Sequence, residues 1–157
     1  MIYSTGVEDF GEYAKKFADI IREVEAEPIV FATASITKHY NENFSFPEST
    51  IAFNEMQLDF GKKYSVPVVD AGYAWLRYLG DNPTEEAVLR LYHKDKGHPG
   101  SSGTYLYSCL LYAYTTKCSP VGLVSKFPNI RDGIAIVDAE TLQHVAWEQY
   151  QDDFCRS

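Results

Sequence analysis

Two residues whose types and spacing could support proton transfer stand close together in the middle of the chain, Asp95 and His98. Imidazole titrates near neutral pH, so His98 can take up and return a proton under cellular conditions. A carboxylate hydrogen-bonded to one ring nitrogen fixes the tautomer of the ring and stabilises the imidazolium that forms. Asp95 and His98 are three residues apart, which within a turn is close enough for this hydrogen bond. The pair alone is a weak pattern, and an incidental aspartate and histidine on a solvated loop is its simpler interpretation.

The residues after His98 predict a stiff loop at the entrance to a helix. Pro99 favours an extended backbone at His98, and Gly100 permits a sharp turn. Ser101 or Ser102 then offers an oxygen to the free amides of the first helical turn, so we expect one of them to be the N-cap.

This loop belongs to a longer pattern that extends to residue 123. Its parts are Asp95-x-x-His98-Pro99, then Gly103-Thr104-Tyr105-Leu106, then Ser119-Pro120-Val121-Gly122-Leu123, with further similarity at residues 29–34, 70–75 and 142–148. Together they resemble the C-terminal block of the SGNH (GDSL-like) hydrolases, and the resemblance covers nearly all of the chain. In that family the Asp-x-x-His pair supplies two members of a Ser-His-Asp triad. The resemblance therefore implies that His98 is the catalytic base and that Asp95 is its carboxylate partner.

The chain departs from the family pattern in two places. Gly100 stands where relatives usually have serine. The family's Gly-Asp-Ser nucleophile block, its oxyanion glycine and its asparagine motif all precede the matching region, and no Gly-Asp-Ser occurs in these 157 residues. The resemblance implies five parallel strands, of which the first three would precede Met1. Residues 1–157 are therefore expected to form a single, N-terminally incomplete SGNH-hydrolase-like domain.

Composition limits the class of protein. Hydrophobic residues make up 45% of the 157, which favours a globular domain with a core. The net charge of −8 and the absence of a basic stripe argue against a nucleic-acid partner. No apolar run approaches the roughly 20 residues that a membrane helix needs.

The three cysteines and four histidines suggest no metal site. An odd number of cysteines without ligand spacing favours reduced thiols and a reducing compartment, and Cys109 is expected to pack inside its helix. Met1 is not followed by a signal-peptide pattern, so the cytoplasm is the default expectation. No cofactor is predicted, because no Gly-rich phosphate loop is present.

Hydrophobic spacing predicts a succession of helices and two strands. The first amphipathic helix is expected after a capping box at Thr5-Gly6-Val7-Glu8, and the second from Ser45 or Glu48 to Tyr64. A third is expected from Trp75, and a fourth after an Asn82 cap with Pro83 at the first helical position. The last two are expected after Ser101 or Ser102 and over 138–150. Residues 29–34 and 66–70 are short apolar runs without polar alternation, as in buried parallel strands. This order predicts a three-layer α/β/α fold of flavodoxin-like, SGNH hydrolase type that lacks its first strands.

Several polar residues near the expected carboxyl ends of the strands are weaker candidates for a site. Thr33 and Ser35 follow the first strand, although hydroxyls there more often satisfy local backbone groups. Asp70 follows the second strand, where a structural role in a turn is about as probable as a site role. His39 lies in a polar loop over 38–47, and His93 stands beside Asp95; both are expected at the surface.

Three functions remain open. The first is the part of an SGNH-type ester hydrolase that supplies His98 and Asp95, with the serine upstream and a small acyl or carbohydrate ester as substrate. The second is a catalytically inactive α/β module that binds a partner, or a second copy of itself, through an incomplete sheet. The third is an enzyme with an unrecognised nucleophile of its own.

Overall fold

The protein is a mixed α/β chain in which helices predominate. The computed structural model describes residues 2–35, 46–128 and 133–156. The helices in these ranges are α1 (Ile2–Glu23), α2 (Phe46–Tyr64), α3 (Ala71–Leu79), α4 (Glu85–Leu91), α5 (Ser101–Thr116) and α6 (Ala139–Arg156). The strands are β1 (Val30–Phe31), β2 (Val68–Val69), β3 (Lys126–Phe127) and β4 (Ile134–Ala135).

The two predicted strands form a short parallel pair connected through α2. Val30 lies opposite Val68 and Phe31 opposite Val69. Each regular strand is only two residues long, so the apolar runs predicted the position and direction of the strands but overstated their length. The pairing continues beyond the strands, because the Gly72 amide donates to the Ala32 carbonyl at 2.7 Å.

Each strand of this pair has one edge that faces away from the other strand, and these two outer edges differ in what contacts them. The amides of Val30 and Ala32 donate to the carbonyls of Pro67 and Val69, so the intervening Val68 carbonyl faces away from β1. That carbonyl accepts a hydrogen bond from the Tyr114 hydroxyl at 3.2 Å. A side chain of α5 therefore occupies the outer edge of β2. Within the described ranges, β1 pairs with no strand other than β2.

The core lies between the parallel pair and the helices α3, α5 and α6. Trp75 is fully buried, and its ring stacks on Tyr107 at a centroid distance of 5.2 Å. The Tyr107 hydroxyl accepts a hydrogen bond from the Ala34 amide at 2.8 Å, which joins α5 to the carboxyl end of β1. Cys109 packs in the same core, as its apolar neighbours predicted.

Glycine at the start of α5 permits a close approach of three elements. A Cβ atom on Gly103 would lie 2.3 Å from the Leu91 carbonyl oxygen and 2.5 Å from Cζ2 of Trp75. The end of α4, the Trp75 ring and the first turn of α5 therefore meet where no side chain fits. This contact sets the position of the loop between α4 and α5, which carries Asp95 and His98.

Four helix starts differ from the sequence prediction, and the first is that of α3, which begins at Ala71 rather than at Trp75. Helix α1 already begins at Ile2, so the segment Thr5-Gly6-Val7-Glu8 lies inside the helix and does not cap it. The N-cap of α4 is Thr84, whose hydroxyl accepts from the Ala87 amide at 3.2 Å; Asn82 and Pro83 precede it. Gly100 is the N-cap of α5.

Neither Ser101 nor Ser102 therefore caps α5. Both serines are already helical, and no side chain makes a capping hydrogen bond at this terminus. The reason is the close packing of the turn, where a Cβ on Gly100 would lie 2.6 Å from the Tyr92 carbonyl oxygen. Because glycine fits this tight turn, Gly100 is the N-cap of α5, one residue before the first of the two predicted serines.

A small antiparallel sheet was not predicted. Strands β3 and β4 pair with Lys126 opposite Ala135 and Phe127 opposite Ile134. The dipeptide Asp132-Gly133 between two apolar segments is the sequence signal for such a hairpin.

No helix of the described part combines the length and the apolarity that crossing a bilayer requires.

Replacing Gly103 with alanine should destabilise the fold. The added methyl group overpacks the contact with Leu91 and Trp75, so the free energy of unfolding should fall by about 1–3 kcal/mol. Gly11→Ala in α1 is the matched control, because its Cβ would meet nothing within 4 Å and alanine favours a helix by roughly 0.5–1 kcal/mol. Urea denaturation measures both, and equal changes would show that α5 has room for the methyl group.

Candidate active site

The loop between α4 and α5 is closed at its base by backbone hydrogen bonds. Helix α4 ends at Leu91, and Tyr92 and Pro99 form an isolated antiparallel bridge. The His93 amide donates to the His98 carbonyl at 2.8 Å, and the Gly100 amide donates to the Leu91 carbonyl at 2.8 Å. The loop is therefore a short hairpin, which holds its tip residues in fixed positions.

Asp95 organises the tip of this hairpin. Its Oδ1 atom accepts hydrogen bonds from the amides of Gly97 at 2.9 Å and His98 at 3.0 Å. Its Oδ2 atom lies 2.8 Å from Nδ1 of His98. The sequence analysis anticipated the contact with the ring, and the structure brings the two predicted residues together.

The charged form of Asp95 is strongly favoured. Hydrogen bonds from the Gly97 amide, the His98 amide and the His98 ring, in that order, lower the pKa of the Asp95 carboxyl far below its usual range. The carboxylate therefore stays ionised at neutral and mildly acidic pH. An ionised carboxylate next to Nδ1 keeps a proton on that nitrogen and leaves Nε2 as the acceptor.

The His98 side chain projects into solvent, with 83% of its surface exposed. Its position comes from the loop backbone and from Asp95 rather than from surrounding side chains. Nothing within the loop covers the ring, which leaves Nε2 accessible to another group. Among the residues that the structure describes, no serine, threonine or cysteine is hydrogen-bonded to this histidine.

His93 contacts the same carboxylate. Its Nδ1 atom lies 3.4 Å from Oδ2 of Asp95, which is longer than an ordinary hydrogen bond. Two exposed histidines therefore flank one aspartate; the sequence analysis placed His93 beside Asp95 and at the surface but did not predict this contact. The hairpin pairing of residues 92 and 99 produces it by bringing His93 back beside the loop tip.

The base of the loop is anchored in the core by Tyr92. Its ring is buried and meets Trp75 edge-on at a centroid distance of 4.8 Å, and its hydroxyl donates to the Ser35 carbonyl. Burial and the neighbouring Tyr107 raise the pKa of Tyr92, so the phenol stays neutral. This contact places the loop next to the carboxyl end of β1, the side of a parallel sheet at which ligands bind.

A shallow groove of about 380 Å³ lies on one side of the loop. Its polar lining comes from the loop and α5, and its apolar lining from the β3–β4 hairpin. These residues include His93, Ser101, Thr104 and Ser108 on the polar side and Phe127, Ile134 and Ile136 on the apolar side. The sequence analysis missed the groove because it did not predict the hairpin that forms one wall.

Comparison with protein-family models, with curated proteins and with solved structures finds no match to this chain. The arrangement of its own residues is therefore the evidence on function.

The weaker candidates lie elsewhere. Ser35 is buried, and its hydroxyl accepts a hydrogen bond from Thr50 at 3.2 Å, so it serves the local structure. Asp70 is buried at the N-cap position of α3, its side chain makes no capping hydrogen bond there, and it lines a separate pocket with Val68 and Asp153. Residues 36–45, including His39, lie outside the described residues. His144 is exposed on α6.

The described residues offer no cluster of metal ligands, and the buried thiol of Cys109 is a weak candidate for a nucleophile. Within the described ranges, no group of three or more His, Cys, Asp or Glu side chains lies close enough to hold a metal ion. Burial raises the pKa of the Cys109 thiol to about 11, so this sulfur is protonated near neutral pH and is a poor nucleophile.

The pKa of Asp95 provides a test of the site geometry. In the folded chain the carboxyl should titrate well below the value of about 3.9 that it has when unfolded. Its charge therefore stabilises the loop above the unfolded pKa, and this contribution disappears only as the pH falls through the lower folded pKa. The carboxyl carbon shift of Asp95, followed by NMR during an acid titration, reports the folded pKa.

Two variants separate the causes of this shift. His98→Ala removes the ring but keeps both amide donors, so the pKa should rise and still stay below the ordinary value. His93→Ala is the matched control and should move the pKa less, because its contact is longer. An Asp95 carboxyl that titrates like one in a model peptide would contradict the closed loop.

Proposed function

We propose that this chain supplies the histidine and aspartate of an SGNH-type ester hydrolase, in which the nucleophilic serine comes from outside these 157 residues. The observation that carries the proposal is the 2.8 Å contact between Nδ1 of His98 and Oδ2 of Asp95. Two backbone amides hold the other carboxylate oxygen, so the pair has the orientation that a general base requires. The resemblance of residues 91–123 to the family's Asp-x-x-His block supports the same assignment.

In this function His98 moves one proton in each half of the reaction. Its Nε2 atom takes the proton from the serine hydroxyl as the oxygen attacks the ester carbonyl, and it returns that proton to the departing alkoxide. In the second half it takes a proton from water, whose oxygen attacks the acyl group, and it returns this proton to the serine as the acid leaves. Asp95 stays charged throughout and stabilises the imidazolium.

The fold that accompanies this function is a three-layer α/β/α domain of flavodoxin-like type, in which β1 and β2 are the last two parallel strands. The parallel pairing of β1 with β2 through α2 supports this arrangement. The outer edges of the two strands also support it. The Tyr114 hydroxyl occupies the outer edge of β2, whereas the outer edge of β1 is left for further strands. Residues 1–157 would then be one incomplete domain.

The proposed substrate is a small acyl or carbohydrate ester. The groove beside the loop offers hydroxyl groups on one wall and apolar side chains on the other, which suits a substrate with both characters. His93, Pro99 and Gly100 are the loop residues that line it, so the ester would have to extend past them to reach His98. No cofactor takes part in this mechanism, and the chain's net charge of −8 disfavours nucleic acid as a partner.

A second candidate function is a non-catalytic module that binds a partner strand, or a second copy, through the open side of β1. The observation in its favour is that β1 has no strand neighbour other than β2 in the described part of the chain. An unpaired edge readily accepts another strand. Such a module would need neither His98 nor Asp95, so substitutions at these two positions would leave its binding intact.

We expect the 157-residue chain alone to hydrolyse 4-nitrophenyl acetate no faster than free imidazole at the same concentration. The His98–Asp95 pair lacks a nucleophile and oxyanion donors, which provide most of the rate enhancement. A fluorophosphonate reagent should likewise label no serine. Turnover that Ser101→Ala abolishes would instead favour a nucleophile within the chain, since Ser101 lines the groove.

The positive test uses a longer reading of the same gene that restores a Gly-Asp-Ser segment upstream of Met1. In that protein His98→Ala should reduce kcat roughly 10⁵- to 10⁶-fold, and Asp95→Ala should reduce it less, by roughly 10⁴-fold. The double variant should be little worse than His98→Ala, because residues that act as one unit are not additive.

His93→Ala is the internal control for damage to the loop. Its ring lies 3.4 Å from Asp95 and makes no ordinary hydrogen bond with it, so kcat should change little. Because His93 also lines the groove, a loss confined to KM reports substrate binding and leaves the assignment of His98 intact. A melting curve for each variant separates loss of activity from loss of structure. If His93→Ala is as damaging as His98→Ala while both remain folded, His98 is not the base.

A further inference from the structure

Helix α1 carries one broad apolar arc, of which one side is packed and the adjoining side is exposed. The packed side holds Phe10, Ala14 and Ala18 and contacts Phe60 of α2, where the Phe10 and Phe60 rings meet edge-on at 5.5 Å. The exposed side consists of Tyr13, Phe17, Ile20 and Val24 and is called the outer stripe below. These four residues are 57%, 66%, 57% and 74% exposed.

The spacing of the outer stripe is typical of the interface between two helices in a coiled coil. Its members are separated by four, three and four residues, the heptad alternation that aligns one helix face with another. Isolated exposed apolar residues are normal on a protein surface, but four at seam spacing on one helix form a contiguous patch. Helix α1 packs mainly on α2 rather than on the loop with Asp95 and His98, and the upstream strands of the proposed function are the competing occupant of this face.

The two flanks of the stripe have different characters. Ala14 and Ile21 lie on the flank next to α2, and Ala14 packs against the cluster around Phe60. Lys16 and Glu23 lie on the opposite flank, both exposed and seven residues apart. In a parallel helix pair the charged flank of one helix would face the apolar flank of the other, whereas in an antiparallel pair like flanks face each other.

We infer that the outer stripe binds a second copy of this chain, with the two α1 helices antiparallel about a two-fold axis. Aligning Phe17 with Ile20 of the other copy also aligns Tyr13 with the other Val24, so each layer joins an aromatic ring to an aliphatic side chain. The same alignment places Lys16 beside the other copy's Glu23. By symmetry the contact occurs twice, as an isologous interface requires.

Charge complementarity is what selects a second copy as the occupant. The charged flank carries one cation and one anion at a one-heptad separation, and the antiparallel alignment pairs opposite charges at both positions. Lys16 already contacts Glu12 of its own helix at 2.5 Å, so in the dimer it would lie between two carboxylates. The whole surface is thus complementary to itself.

Sedimentation velocity on the 157-residue chain over a range of concentrations tests the inference. A reversible monomer–dimer equilibrium is expected, and Phe17→Asp should raise Kd by at least about tenfold because it places a charge in the seam. Val124→Asp is the matched control, since Val124 is 65% exposed outside the stripe, and it should leave Kd unchanged. A chain that stays monomeric at all concentrations overturns the inference and leaves the upstream part of the proposed domain or a different protein as the occupant of the stripe.

A charge-swap cycle tests the orientation. Lys16→Glu and Glu23→Lys should each raise Kd by about two- to fivefold, because each removes both symmetry-related pairs and puts like charges together. The double variant restores opposite charges and should return Kd to near its original value. Circular dichroism verifies that each variant keeps its helices. A dimer that withstands Phe17→Asp, or that shows no coupling between positions 16 and 23, forms through another surface and also overturns the inference.

Discussion

The packing of the buried Trp75 ring against two tyrosines is the interaction on which the rest of this structure depends. It stacks on Tyr107 of α5 and meets Tyr92 edge-on, and the hydroxyls of these two tyrosines bond to the backbone of Ala34 and Ser35. One aromatic cluster therefore joins the carboxyl end of β1, the first turns of α5 and the base of the loop that carries Asp95. Its interactions are mainly apolar packing and edge contacts between rings, which fix relative orientation as well as distance.

The parts of this arrangement that follow from local rules could be predicted from the sequence. The apolar periodicity located the helices, because each buries one face. The Asp95–His98 contact follows from a three-residue separation in a turn, which depends little on the rest of the fold. The direction of the parallel pair followed from the helix that connects its strands.

The parts that depend on contacts between distant elements could not be predicted in this way. The apolar run at 29–34 indicates burial but does not specify how many residues pair, and only Val30 and Phe31 form a regular strand. The start of α5 depends on how closely Gly100 approaches Tyr92, so the capping preference of the following serines did not decide it. The pairing of Tyr92 with Pro99 across the loop, which closes it into a hairpin, has no sequence signature, although His93 stands only two residues before Asp95.

The balance between local and distant contacts also explains how an exposed histidine can be well oriented. Burial usually orients a catalytic base, yet the His98 side chain is 83% exposed. Here the orientation comes from the carboxylate, which is itself fixed by amides of the same loop, so the pair has its geometry before anything covers it. Water weakens the attraction between two charges by more than an order of magnitude relative to a dry interior. In the proposed function, the strength of His98 as a base would therefore depend on a surface that excludes water from the loop.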